Sequence, residues 1–304
     1  MIKPLTSFRF VFALMVFLHH LHYLANSPNE LIRWMHEHVF EEGYIGVSFF
    51  FVLSGFILAL NYQERILESS KSVSKFLVAR FARIYPLHFV TMLAAIPLLN
   101  APELCCDTSK KLALANLAGN LTLLHGFFPE LGSCCYLNGP SWSISVEMFF
   151  YSLFPLLIFL LRGVVDHSWR LVSLLLAITG VVFFGIWQFS DVVPNNFFYV
   201  NPFVRSLDFL MGIVLFNLYR LSKFQISSAS WSLLEIACLA LFVLFFSIKH
   251  HVPDSYRDSI YYWIPVCFMI YIFAFQSGWI SKIMSIKPLE FLGEISFAFY
   301  LIHQ

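Results

Sequence analysis

Arg9 and His20 lie eleven positions apart in the first apolar stretch, LTSFRFVFALMVFLHHL. In an α-helix, steps of about 100° bring both onto one face, and a rise of about 1.5 Å per residue separates them by roughly 16 Å. If Arg9 marks one membrane surface, His20 is predicted near the middle of a hydrocarbon core about 30 Å thick. An ionisable side chain at that depth is expensive and therefore marks a functional site. A neutral imidazole with an ordinary pKa near 6.5 suits the removal of a proton from an attacking hydroxyl. His19 and His22 are offset from His20 and nearer the outer surface, where a structural or substrate-contact role is expected.

Two further clusters offer complementary chemistry. Arg80 and Arg83, in RFARIYPLHF, stand three residues apart and share a helix face. Guanidinium groups grip phosphates through paired hydrogen bonds, and they also anchor helix ends at a membrane surface. In NGPSWSISVEMFFYSLFPLL, Asn138, Gly139, Pro140 and Ser141 form a helix-start signature. Trp142 follows, suited either to an interfacial aromatic belt or to stacking on a sugar. Glu147 lies about one and a half turns further in, with Ser143 four residues earlier on the same face. A carboxylate there needs a partner, so Glu147 either orients His20, binds substrate hydroxyls or pairs with an arginine. Ser54, in FFVLSGFIL, has no recognisable base beside it, and Gly43, Gly46 and Gly55 suit close helix packing. Arg205 and Asp208, three apart, are expected to form an ion pair.

The elements that must position these residues are membrane helices. Apolar residues make up 59% of the chain and charged residues 12%, with 36 phenylalanines, a composition outside the soluble range. Stretches long enough to span lie near 8–25, 43–62, 84–99, 142–161, 171–189, 203–219, 231–248 and 260–276. Another begins near Leu289 and is still in progress at Gln304. The expectation is an all-α polytopic bundle of nine or ten spans, forming a single membrane domain over residues 1–304 that is cut short at its C-terminus. The stretch 112–128 carries Asn116, Gly119, Asn120 and His125 and reads as a re-entrant or interfacial helix.

A cytoplasmic N-terminus puts Lys3, Arg9, Arg65, Arg80, Arg83 and most other basic residues on the cytoplasmic side, as the positive-inside tendency requires. Making 112–128 a full span would reverse everything after it. The first stretch lacks a small-residue cleavage site and reads as a retained helix. A net charge of +1 and the absence of basic runs give no sign of a nucleic-acid partner. Cys105, Cys106, Cys134 and Cys135 fall in the long outer loop and favour disulfides there, whereas Cys238 and Cys267 lie within apolar spans. Adjacent cysteines lack the usual spacer of zinc sites, and no metal is expected.

Four blocks in order, Arg9 to His20, GYIGVSFFFVLSGFIL, RFARIYPLHF and NGPSWSISVEMFFYSLFPLL, resemble the integral-membrane acyltransferase-3 family, as does the terminal FLGEISFAFYLIHQ. That resemblance implies a bacterial inner-membrane enzyme that moves an acyl group, usually acetyl, from acyl-CoA to a hydroxyl of an envelope carbohydrate or glycolipid. It implies catalytic roles for His20 and Glu147, donor binding by Arg9, Arg80 and Arg83, and substrate binding by Ser141, Trp142 and Ser143. The rival is a transporter or flippase with a His/Glu proton relay, weakened because no inverted repeat is visible.

Overall fold

Every regular element among the described residues is helical. The computed structural model describes residues 2–98, 110–128, 137–194 and 196–303, so the four loop cysteines lie outside the described residues. The main helices are α1 (Lys3–His19), α2 (Glu30–His38), α3 (Ile45–Glu68), α4 (Ser70–Ala95), α5 (Lys110–Leu121) and α6 (Trp142–Leu161). They continue as α7 (Ser168–Phe189), α8 (Pro202–Leu221), α9 (Ser228–Ile248), α10 (Trp263–Ala274), α11 (Trp279–Met284) and α12 (Lys287–Ile302).

Six helical stretches are long and apolar enough to cross a membrane: Glu30–Glu68, Lys71–Ala95, Gly139–Leu161, Ser168–Phe189, Pro202–Leu221 and Ser228–His251. The shortfall from nine lies in α1, α10 and α12, whose 17, 12 and 16 helical residues are fewer than the roughly 20 a perpendicular span requires. Outward-facing Leu176, Phe183 and Trp187 on α7 and Leu233, Val243 and Leu244 on α9 are exposed. A surface this apolar belongs in lipid, and the chain is a multi-pass membrane protein.

Small residues set the helix pairings. A Cβ at Gly55 would strike the Phe209 carbonyl, and one at Gly212 would strike the Val52 carbonyl, so α3 and α8 pack with their backbones in contact. A Cβ at Gly293 would likewise strike the Thr6 carbonyl, which seats α12 against the start of α1. Asn201 caps α8 by accepting from the amides of Phe203 at 3.0 Å and Val204 at 3.3 Å, with Pro202 in the first turn. That cap fixes the register that aims Arg205 inward. The expected ion pair forms, with Arg205 Nη1 2.8 Å from Asp208 Oδ2 and both side chains buried.

The 112–128 stretch contains no helix long and apolar enough to cross a membrane among the described residues. Its helix α5 has 12 residues, about 18 Å at the α-helical rise. His88 of α4 sits with Nε2 3.0 Å from the Asn120 carbonyl, and Ser145 of α6 donates to the Leu123 carbonyl at 2.6 Å. The second half of α4, the end of α5 and the first turn of α6 therefore meet at one end of the bundle, and the stretch between them stays there.

Candidate active site

Two cavities line up along α1. One, of ≈ 450 Å³, adjoins its first half and is bounded by Arg9, Ser54, Arg80, Arg83, Glu147 and Tyr151, among others. The second, of ≈ 280 Å³, lies at the helix's far end and is bounded by His19, His20, Tyr44, Trp142 and Tyr199. Val47 and Tyr300 line both, so only these two side chains are common to the walls of the two chambers.

The first cavity is lined by four arginines and one carboxylate, Glu147. Arg9 of α1, Arg65 of α3 and Arg80 and Arg83 of α4 all face it. Arg80 donates to the Tyr62 hydroxyl at 2.8 Å and stands over that ring at 5.1 Å, which orients one guanidinium. Its Nε is buried without a partner. Arg9 and Arg83 form no hydrogen bond or ion pair with any described residue, so their donors remain available to a molecule in the cavity. Glu147 Oε1 accepts from Tyr151 at 2.5 Å and from Ser54 at 3.4 Å. Ser143 also borders this cavity; its hydroxyl donates to the Pro140 carbonyl at 2.8 Å and meets the Tyr300 hydroxyl at 2.9 Å.

The second cavity combines aromatic walls with imidazoles. Trp142 and Tyr199 pack at 5.3 Å between ring centroids. His20 Nδ1 lies 2.8 Å from the Val16 carbonyl. A carbonyl only accepts, so Nδ1 carries the proton and the neutral ring keeps its lone pair on Nε2. That is the form required of a general base.

Three sequence expectations change. Because α1 ends at His19, His20 occupies its C-cap and stands at the helix end rather than half-way along it. Arg9, conversely, is six residues inside the helix start instead of at its edge. The eleven-residue spacing holds; what shifts is the helix, which runs Lys3–His19 rather than over 8–25. Second, Glu147 is not a partner of His20, because each lines a different cavity and each has other hydrogen-bond partners. Third, Ser141 is fully buried and borders neither cavity. It donates to the Asn138 carbonyl at 2.6 Å and meets His125 Nε2 at 3.1 Å. Burial, reinforced by nearby His88, pushes the His125 pKa down to about 4 and keeps that ring neutral. The Ser141 hydroxyl hydrogen is held by its shorter contact to the Asn138 carbonyl, and His125 Nδ1 faces the Gly119 carbonyl at 3.4 Å, so this geometry shows no activation of Ser141 as a nucleophile.

Tyr300, Tyr199, Tyr44 and Arg65 border the cavities without having been singled out as site residues. Neither was His303, whose ring lies 4.9 Å from that of His20. Tyr300 and His303 belong to FLGEISFAFYLIHQ, and the signal was a second histidine and a tyrosine within an apolar block. Among the described residues no group of histidines, cysteines and carboxylates has the arrangement of a metal site.

Residues 4–304 match the acyltransferase-3 family model, described as an acyltransferase domain. The chain belongs to this family. It is 30% identical to the acyltransferase MdmB of Streptomyces mycarofaciens, over 99% of the chain and 78% of that protein. It is 26% identical to the peptidoglycan O-acetyltransferase OatA of Listeria monocytogenes, over 86% of the chain but 44% of that protein. No solved structure matches. The two cavities are accordingly chambers of an acyltransferase.

Proposed function

We propose that this acyltransferase moves an acyl group, usually acetyl, from acyl-CoA in the first cavity to a carbohydrate or glycolipid hydroxyl in the second. The observation that carries this reading is the pair of chambers meeting at Val47 and Tyr300, with unspent guanidinium donors on one side and His20 on the other.

Arg80, Arg83 and Arg9 suit the phosphates of CoA, each presenting a rigid fork of donors. Glu147, held by Tyr151 and Ser54, takes its site role on this donor side. Trp142 and Tyr199 supply flat apolar faces for a sugar ring, and Ser143 steadies the hydroxyl of Tyr300 at the partition. His20 Nε2 accepts the proton of the acceptor hydroxyl as its oxygen bonds to the acyl carbon and the carbon–sulfur bond breaks. The same proton then returns to the departing thiolate, so base and acid are one group. Ser141 shapes the start of α6 and touches no substrate.

A cytoplasmic N-terminus puts the arginine-lined cavity where acyl-CoA is made and the His20 cavity on the opposite side. The basic residues Arg65, Arg80, Arg83 and Lys75 near the α3–α4 turn support that orientation in a bacterial inner membrane. Tilted or locally thinned lipid accommodates α1, α10 and α12 as three additional spans. Family membership speaks against the transporter reading.

The test is transfer by purified protein in lipid nanodiscs, given [14C]acetyl-CoA and a panel of p-nitrophenyl glycosides and envelope-glycan fragments. Labelled ester on at least one acceptor is expected. Failure to bind or use acetyl-CoA, with transfer from a different acyl donor, would overturn the donor assignment.

A further inference from the structure

His20 is gripped from two helices. Besides the Val16 carbonyl at 2.8 Å, its Nδ1 lies 3.3 Å from Nε2 of His303, 283 residues later and just beyond α12. The proton positions follow from the partners. His303 Nδ1 faces its own helix's Tyr300 carbonyl at 2.5 Å, and since a carbonyl cannot donate, that nitrogen carries the hydrogen. Neutral His303 therefore presents an Nε2 lone pair, and it points at the hydrogen on His20 Nδ1. The resulting chain runs from His20 Nδ1–H to His303 Nε2, and from His303 Nδ1–H to the Tyr300 carbonyl. Phe17 meets the His303 ring edge-on at 6.2 Å and supports its plane.

We infer that His303 is a positioning residue for His20, accepting a shared hydrogen bond from Nδ1 so that Nε2 is held toward the second cavity. One acceptor, the Val16 carbonyl, fixes which nitrogen is protonated but leaves the ring able to swing about that bond. A second acceptor on another helix fixes the plane. It also opposes the positive charge that develops on His20 when a proton arrives at Nε2, because the His303 lone pair faces that charge. The link ties the pitch of α12 to the reactive nitrogen on α1, and the same helix carries Tyr300 at the partition between the chambers. This inference rests on the reading of His20 as the base.

The test compares His303→Phe, which keeps a flat ring but removes the acceptor, with His303→Gln, whose side-chain oxygen can replace Nε2. Diethyl pyrocarbonate is the probe, because it reacts at the unprotonated ring nitrogen and needs neither donor nor acceptor. In the full chain in nanodiscs, His303→Phe should slow carbethoxylation of His20, read by peptide mass spectrometry, by about tenfold, the scale of one lost hydrogen bond. His19 and His22 should react at unchanged rates, and His303→Gln should restore His20 to within about threefold of wild type. In acyl transfer the Phe variant should lose kcat with acceptor KM unchanged. Wild-type reactivity of His20 in His303→Phe, or equal slowing in both variants, would overturn the inference. Retained transfer by His20→Ala would instead sink the base assignment, and the carbethoxylation result would still stand or fall separately.

Discussion

Arg205 and the Arg9–Arg80–Arg83 group lie in apolar helices, yet they spend their hydrogen-bond donors in opposite ways. Arg205 is buried and gives four of its five N–H donors to protein: Asp208 at 2.8 Å, Ser48 at 3.1 Å, the Tyr199 carbonyl at 2.6 Å and the Asp258 carbonyl at 3.3 Å. Asp208 is completed by the indole of Trp263. Lys249 is equally consumed, by the Glu37 carbonyl at 2.6 Å and the carboxylates of Glu41 at 3.1 Å and Glu42 at 3.2 Å. Arg80, by contrast, has one partner in Tyr62, and Arg9 and Arg83 have none among the described residues. A buried charge is tolerated when it is fully paired, and a charge left unpaired toward a cavity invites an opposite charge from outside the protein. On the proposed reading, the difference separates structural cations from those that meet a ligand, with Arg9 and Arg80 part-buried and Arg83 exposed at the cavity. The two classes still cooperate, since Arg205 holds the backbone of Tyr199 and stacks on its ring at 4.8 Å, fixing one wall of the second cavity.

The contrast is open to attack from both sides. Asp208→Ala should have the largest effect on the fold, because it strands a buried guanidinium and costs about 3–5 kcal/mol. Thermal melting in detergent, followed by size-exclusion fluorescence, should register that loss together with low membrane abundance. A stable, abundant Asp208→Ala protein would remove the basis for calling Arg205 structural. Arg80→Ala and Arg83→Ala should do the reverse, leaving the melting temperature close to wild type while weakening acyl-CoA binding roughly tenfold to a hundredfold each, the scale of a charge-assisted hydrogen bond. Equilibrium binding of CoA and dephospho-CoA would sharpen the result by showing which arginine meets the 3′-phosphate. Unchanged affinity in both variants would reduce the pair to membrane anchors. The smallest change is expected at Arg65→Ala: Arg65 and Arg83 are both exposed at the cavity, but Arg65 stands alone on α3 whereas Arg83 shares a face of α4 with Arg80. A loss of a few-fold at most, vanishing in high salt, fits a screened surface charge.

Much of this was legible in the sequence because membrane helices announce themselves by composition, and because Arg9, Arg80 and Arg83, expected together at one site, line one chamber. The ion pair of Arg205 with Asp208 was equally readable from spacing, and the shortness of the helix in the 112–128 stretch from its polarity. The end of α1 at His19 was not, since HHLHYLAN continues apolar beyond the last helical turn. Nor was the separation of Glu147 from His20, since α6 packs mainly on α3, α4 and α8 rather than on α1. Ser141 and Ser143 differ by two positions yet face a buried histidine and a cavity respectively, a distinction that helix phase decides only once the start of α6 is known. His303 escaped because its value lies in a contact with a residue 283 positions away.

The central claim is that a base at the end of α1 acts on an acyl group delivered from the arginine-lined chamber. The most direct measurement is transfer by His20→Ala, at matched membrane abundance and with acyl-CoA binding measured on the same preparation. Loss of general-base help is typically worth about 10² to 10⁴ in rate, so kcat should fall by at least about a hundredfold while donor affinity stays at the wild-type value, and His19→Ala and His22→Ala should retain most of their turnover. Near-normal transfer by a well-folded His20→Ala, or equal losses at all three histidines, would contradict the claim.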